Sequence, residues 1–441
     1  MKTLKQNVEA TLLITGVLLL FAASCSKNSQ TYKADDTNPY ANPNPPKMLD
    51  NPMPVINGFA PTKGLPNTVV TIAGMNFDQV IANNTATING VAATVNAVTA
   101  ISMTITIPPG ATTGPIVVKS GSATVTSLSN FTVTTGTVSM FYDLGANYME
   151  HIAVDKDGNV YGDDGAKTIY KIVKDGQLSV YAGGPGTSTF KSLWGVVVNS
   201  NLGDVYTTDR GSFSIIRITP AGIIAPFAGN GVLGYVDDQG NAARFVAPTQ
   251  LAIGADGSLY VNDTHRVRKI TTAGVVTTLA GGNDDGFADG KGAEARFGAL
   301  EGIAVDIADN VYVSDTKYLR IRKITKDGVV TTLAGSGAKG FVDGPGTTAQ
   351  FYYPGALAVD PISGNLFITD QNSLAPLFEI RMINKLGVVT TLLKGTSNTG
   401  VVNGPTATAT TNAPDGIAFD VNGNMSIVNT GAKIISKVTF Q

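Results

Sequence analysis

Six positions related by an internal repeat hold Glu150, Trp194, Thr249, Glu301, Gly355 and Asp415, each just ahead of the small residue that opens a short apolar run. At the first of them the small residue is itself replaced, by His151. Carboxylates accept hydrogen bonds from hydroxyl groups and bind hard cations, an indole face packs on apolar C–H surface, and an imidazole adds a donor. Tyr148 and the run Phe351-Tyr352-Tyr353 offer further aromatic surface close by in sequence. Together these groups suit a sugar, whose rings present one apolar face and a rim of hydroxyls. The competing reading is that Trp194 plugs a channel and the carboxylates are solvated.

The elements that must bring these residues together are strands. The segments beginning at Ile152, Val196, Leu251, Ile303, Leu357 and Ile417 are six versions of one hairpin. They recur at a spacing of roughly 45 to 60 residues, which is that of propeller blades too small to bury their own apolar faces. Gly-containing turns such as Asp157-Gly158-Asn159 close the hairpins. The fourth-strand pattern starts before the first blade and stops before the last, so a strand within Val138–Leu144 is expected to complete the blade begun at Gly416 and shut the ring. First strands then line the central channel, and the six variable positions converge at its mouth.

The repeat also separates scaffold from site. Asp164, Asp209, Asp263, Asp315 and Asp370, with Asn429, recur at the end of every second strand and read as caps of the turn into the third. The third-strand cations Lys171, Arg217, Lys269, Lys323 and Lys437 alternate with apolar positions and read as a solvated band. Asp237, Asp238, Asp284, Asp285, Asp289 and Asp343 sit in Gly-rich linkers; calcium is a possible occupant, but the alternating ligands and terminal Glu of a calcium loop are missing, and turn chemistry is the better account.

Composition bounds the rest. With 31 Lys and Arg against 33 Asp and Glu in 441 residues, the chain has no basic stripe to hold nucleic acid. Residues 1–24 carry Lys2 and Lys5, then an apolar run ending at Ala22-Ala23-Ser24-Cys25, and read as an export signal too short to span a membrane. Cys25, the only cysteine, reads as the residue lipidated after cleavage. The segment resembles the bacterial lipoprotein signal, with Ala22 where Leu is usual. The alternative is a secreted protein with a stray cysteine in its discarded peptide. Residues 25–53, rich in Pro and Asn, read as a tether.

Residues 54–135 alternate short β-rich runs with turns and predict a small antiparallel sandwich. The runs from Gly58 to Gly64, from Thr71 to Phe77 and at Ile107-Pro108-Pro109-Gly110 resemble those of IPT/TIG immunoglobulin-like domains. Residues 136–441 resemble NHL-repeat six-bladed propellers, most visibly from Asp263 to Ile270 and in the linkers Gly286–Phe297 and Gly340–Phe351. The expected fold is therefore all-β, an Ig-like sandwich plus a six-bladed NHL-type propeller closed by an N-terminal outer strand.

Three functional readings stay open. The architecture resembles that of lipid-anchored glycan-binding proteins of glycan-foraging Gram-negative bacteria. That resemblance implies an outer-membrane, surface-exposed protein with an extracellular glycan as ligand at Glu150, His151, Trp194, Thr249, Glu301 and Asp415. It also implies an outer-membrane transporter and other surface lipoproteins as partners, and contact with the membrane through the lipid alone. The second reading follows a resemblance to gluconolactonase-like hydrolases, which place Glu, Asn and Asp around a divalent cation. Glu150, Glu301 and Asp415 would hold it here, as calcium or magnesium, although the set contains no Asn. The third is an adhesion scaffold. Peptide-amidating chemistry needs three histidines, and only His151 and His265 exist. No Gly-x-Ser-x-Gly elbow is present.

Overall fold

The structure is a computed structural model. It describes residues 53–282, 284–372, 374–375, 377–396 and 400–441. The expected leader, Cys25 and the tether up to residue 52 lie outside the described residues.

Residues 53 to 135 form the sandwich. Along Val69–Met75 buried and exposed residues alternate after the first position, as a strand with one face on a core requires. The inward faces of that strand and of Ser102–Thr106 supply Ile72, Met103 and Ile105. Those of Asn84–Ile88, Gly114–Ser120 and Ala123–Val133 supply Ile88, Ile116, Val118 and Phe131 against them. All seven of these side chains are fully buried.

Six antiparallel blades follow, four of them four-stranded and two carrying a fifth strand of two residues, Gly290–Lys291 or Gly404–Pro405. Blade 4 shows the pattern: Leu300–Val305, Val311–Asp315, Arg320–Ile324 and Val329–Ala334, in register through Ile303, Val313, Arg322 and Thr332. The ring is closed by Gly136–Asp143, which pairs with the C-terminal strand Ile434–Phe440, Val138 opposite Val438. Its apolar packing is divided among clusters that each span two neighbouring blades. Tyr260 and Val267 of blade 3, for example, pack with Phe297, Ile303 and Val313 of blade 4. A blade on its own would expose both faces, so the seams hold the ring.

The first strands approach so closely around the axis that side chains are excluded at several points. A Cβ on Gly302 would lie 2.3 Å from the Gly355 carbonyl, and one on Gly416 would lie 2.4 Å from that of Glu150. Each first strand starts at the mouth and ends in the turn to the second strand on the opposite face. The sandwich docks on that opposite face, at blade 5. Asn365 Nδ2 donates to Thr68 Oγ1 at 3.0 Å, Asn384 Nδ2 donates to the Asn67 carbonyl at 2.9 Å, and Leu65 packs on the cluster containing Phe367. The mouth therefore faces away from the sandwich.

The recurrent residues are structural, with a different geometry from that expected. Asp164 caps the turn into the third strand, accepting from the N–H groups of Ala166, Lys167 and Thr168, and Asp315 does so in part, accepting from Tyr318 N–H as well as from Gly298 N–H in the segment entering the first strand. The other counterparts reach to the segment that enters the first strand. Asp209 accepts from Lys191 and Ser192, Asp263 from Val246 and Ala247, and Asp370 from Tyr352 and Tyr353. The linker Asp237, Asp289 and Asp343 carboxylates accept from guanidinium groups. The third-strand lysines are half-buried: Lys171, Lys269 and Lys323 lie over Tyr161, Tyr260 and Tyr312 at 4.9, 5.3 and 5.7 Å from the ring centroids.

Candidate functional site

The axial channel runs from His151, Gly195, Gln250 and Gly416 at one end to Val154, Val198, Ile253, Val305 and Phe419 at the other, with a volume of about 830 Å3 that includes its solvent-open ends. Its wall is largely aliphatic. The chemistry lies on the rim at the first of these ends.

His151, buried, is the centre of that rim. Its Nδ1 lies 3.1 Å from both carboxylate oxygens of Asp163, which is fully buried on the second strand of the same blade. Burial alone would pull the imidazolium down, but Asp163, aided by Asp415 and Glu150, pushes its pKa up to about 9. The ring is therefore a cation at neutral pH.

Three more carboxylates surround it. Burial raises Asp415 to about 6, against the opposing pull of His151 and with Glu150, Glu301 and Asp163 adding to the rise. Burial likewise raises Glu301, opposed by His151, the Trp194 indole and Arg210. Glu150 lies over Gly165, where a Cβ would meet its Oε2 at 2.4 Å, and accepts a hydrogen bond from the Tyr148 hydroxyl. Desolvation, with the Glu150 charge next, pushes the Tyr148 phenol above its ordinary range. Tyr353, 48% exposed, is raised by burial of its hydroxyl and by the charges of Glu301 and Asp415, while a hydrogen bond with Thr316 opposes them.

Trp194 completes the group. Its ring centroid is 6.2 Å from that of His151, and the Arg210 guanidinium lies 5.0 Å over the indole. The indole N–H is buried near Glu301 without the closed geometry of a hydrogen bond. One aromatic face is thus taken by Arg210, and the more open aromatic surfaces of the mouth are Tyr148 and Tyr353.

Of the expected residues, the fold gathers Glu150, His151, Trp194, Glu301 and Asp415 into one electrostatically coupled group. Thr249, uncharged, donates its hydroxyl to the Asn262 carbonyl at 3.5 Å. Phe351 is no platform; it is fully buried in the seam between blades 4 and 5. Asp163 and Arg210 are additional to the expected set. Their signal was available in the repeat: Asp163 aligns with Thr208, Asn262, Ser314, Thr369 and Val428, and Arg210 directly follows the recurrent Asp209.

A metal would find its ligands here in a different combination from Glu150, Glu301 and Asp415. Among the described residues, the group whose ligand atoms come within 4.8 Å of one another is Glu150, His151 and Asp163. Asp163 is already engaged by the imidazole and by the Gly165 N–H at 3.0 Å, so an ion would have to break the histidine pair.

Comparison with known proteins matches residues 54–133 to the IPT/TIG domain and residues 280–440 to the Teneurin NHL domain. The chain is 25% identical to NHL repeat-containing protein 2 of Bos taurus over 327 residues, 63% of this chain and 44% of that protein. It is 28% identical to Teneurin-3 of Mus musculus over 171 residues, 35% of this chain and 6% of that protein. The matched stretches span less than half the length of these curated relatives. A solved structural-genomics protein of unknown function from Bacteroides thetaiotaomicron superposes with a TM-score of 0.57 at 20% identity, over 89% of this chain and 99% of its own. An auxiliary nutrient binding protein from Bacteroides ovatus superposes with a TM-score of 0.52 at 17% identity, over 88% and 98%. These two likenesses carry the fold. The chain thus joins a sandwich similar to IPT/TIG domains over 54–133 to a six-bladed propeller similar to the Teneurin NHL domain over 280–440.

Proposed function

We propose that this protein captures an extracellular oligo- or polysaccharide on the propeller mouth, as an accessory to glycan uptake at a bacterial surface to which a lipid on Cys25 tethers it. The observation that carries the reading is the convergence of Trp194, Tyr148 and Tyr353 with half-buried carboxylates that keep unused acceptor capacity. Sugars are held by that combination of apolar ring faces and charge-assisted hydrogen bonds. In support, the solved Bacteroides ovatus protein of similar fold is named for auxiliary nutrient binding. The sandwich, docked on the far face, leaves the mouth free.

The test is retention on a panel of immobilised glycans. Trp194→Ala is expected to weaken retention at least about tenfold, with chelator having no effect. A hydrolase reading is favoured by one observation, the juxtaposition of the raised Asp415 and Glu301 carboxylates with the cationic His151, which is acid–base equipment. Product release from a lactone or glycan, or retention abolished by chelator, would replace capture with that reading.

A further inference from the structure

The sandwich stands on the propeller by one end, through Leu65, Asn67 and Thr68. Antiparallel pairing fixes what lies at its other end. Val69–Met75 leaves the docked end and finishes with Met75 opposite Val55, close to where the described chain begins. The hairpin of Val91–Thr99 and Ser102–Thr106 turns beside it, the Ile101 carbonyl accepting from Gly74 N–H at 2.9 Å. The loop from Asp78 to Asn83 crosses there to Asn84–Ile88, with Asp78 N–H donating to Ser120 Oγ at 2.7 Å.

Six large apolar side chains are left in solvent at this end. They are Met53, Val55, Met75, Val80, Ile81 and Ile101, each between 36 and 68% exposed. The same end carries little charge: within 53–55, 75–84, 99–102 and 119–123 the ionisable side chains are Asp78 and Lys119. Asp78 is turned back into its own loop, accepting from Val80 N–H at 2.9 Å and from Asn83 Nδ2 at 2.8 Å. Exposed apolar groups gathered in one place mark a surface that meets a partner.

Two observations point to a bilayer. The segment that carries Cys25 joins the described chain at Met53, which belongs to this end. Protruding, uncharged loop side chains offer little to the polar groups of a protein partner, but they enter a lipid interface, which adapts its shape to them. We infer, on the reading that Cys25 is lipidated, that this end of the sandwich inserts its apolar side chains into the phospholipid surface that holds the lipid. A tether raises the local concentration of that surface at the tip, so a contact too weak to hold a free protein is populated. This adds a protein contact to the lipid-only attachment expected from the sequence. The propeller mouth, on the face away from the sandwich, then points away from the membrane.

Trp194, the only tryptophan, lies at the mouth, which makes indole fluorescence the readout. The full chain, as isolated from a bacterial membrane, is reconstituted into phosphatidylcholine vesicles with and without brominated acyl chains, which quench indole on contact. Ile101→Trp is expected to add emission of which brominated vesicles quench at least about half. Trp194 itself is expected to stay unquenched, as is Leu128→Trp, placed midway along Ala123–Val133 where the native side chain is fully exposed. Adding Val80→Asp and Ile81→Asp to the Ile101→Trp reporter is expected to abolish its quenching while flotation with the vesicles persists. Salt raised to about 0.5 M is expected to leave the quenching unchanged, because charge does not drive it. Flotation without quenching of the reporter overturns the inference and leaves the anchor standing. Equal quenching of Leu128→Trp, or quenching lost at high salt, also overturns it. A chain that carries no acyl group and does not float overturns both anchor and docking. A reporter already blue-shifted before vesicles are added assigns the cover to residues 26–52, or to a second copy where sedimentation shows a dimer, and overturns the inference.

Discussion

Blades 3, 4 and 5 differ from blades 6, 1 and 2 at one buried position. In the first group the third strand carries Arg268, Arg322 or Arg381, each with a fully buried side chain. Each guanidinium joins the second-strand Asp of its own blade to an Asp of the linker before it. Arg268 lies 3.1 Å from Asp263 and 2.6 Å from Asp237, and Arg381 lies 3.1 Å from Asp370 and 2.7 Å from Asp343. Arg322 lies 2.6 Å from Asp289 and more loosely, at 3.8 Å, from Asp315. A buried phenylalanine of the same linker, Phe245, Phe297 or Phe351, backs each one. In the second group the equivalent residues are Ser436, Tyr170 and Ile216, and no such clamp forms there among the described residues.

The chemistry of the mouth is distributed the other way. Asp415, Glu150, His151, Asp163, Trp194 and Arg210 all belong to the half without clamps, and Glu301 is the main contribution of the clamped half. The contrast teaches that the ring divides its labour. One half is braced by charge pairs repeated in three seams, and the other lacks that brace and contributes most of the charged groups of the mouth.

The largest expected effect is on the brace. Arg322→Ala leaves Asp289 and Asp315 without their partner and is expected to cost about 3–5 kcal/mol, whereas Arg322→Met keeps the volume and is expected to cost less. Urea unfolding reads both, and the folded fraction of either variant should retain glycan as wild type does. Equal losses in the two variants would mean that the ion pairs alone, and not the volume of the side chain, hold that seam.

A smaller effect, about 1–3 kcal/mol, is expected from Asp163→Asn, which strips the buried imidazolium of its counter-charge. Its pH dependence is the sharper readout. Because the His151 pKa is raised from 6.5 to about 9, the stabilisation is complete below pH 6.5 and is lost as the pH rises through 9. The gap between wild type and variant should therefore narrow over that interval; a gap independent of pH would remove His151 from the account. The smallest effect is expected at Thr249, which lies on the mouth register in the clamped half. Thr249→Ala should change stability by less than about 0.5 kcal/mol and leave glycan retention unaltered. A clear loss of retention would extend the site into the braced half and blur the division.

The blades were legible because a strand period of two and a hairpin repeated six times leave few alternatives. The mouth was legible in part, since divergence within a repeat marks Glu150, His151, Trp194, Glu301 and Asp415 without any structure. The clamps were not. Arg268 reads in sequence as one more polar residue of the stretch Arg266-Val267-Arg268-Lys269, and nothing local says that it is buried while Lys269 lies half-buried over Tyr260. Its partner Asp237 is 31 residues away, in a linker that sequence reasoning assigns to turn chemistry.

The amino-acid sequence by itself determined the blade count, the swapped strand that closes the ring and the register that brings six variable positions to one end of the channel. These follow from local periodicity and from counting. Only the tertiary structure decided which carboxylates are desolvated, that Asp163 rather than Glu150 accepts the hydrogen bond of His151 Nδ1, and that Arg210 covers Trp194. Charge–charge energies depend on distance and on exclusion of water, and both are set by chains that meet across the axis from opposite ends of the sequence.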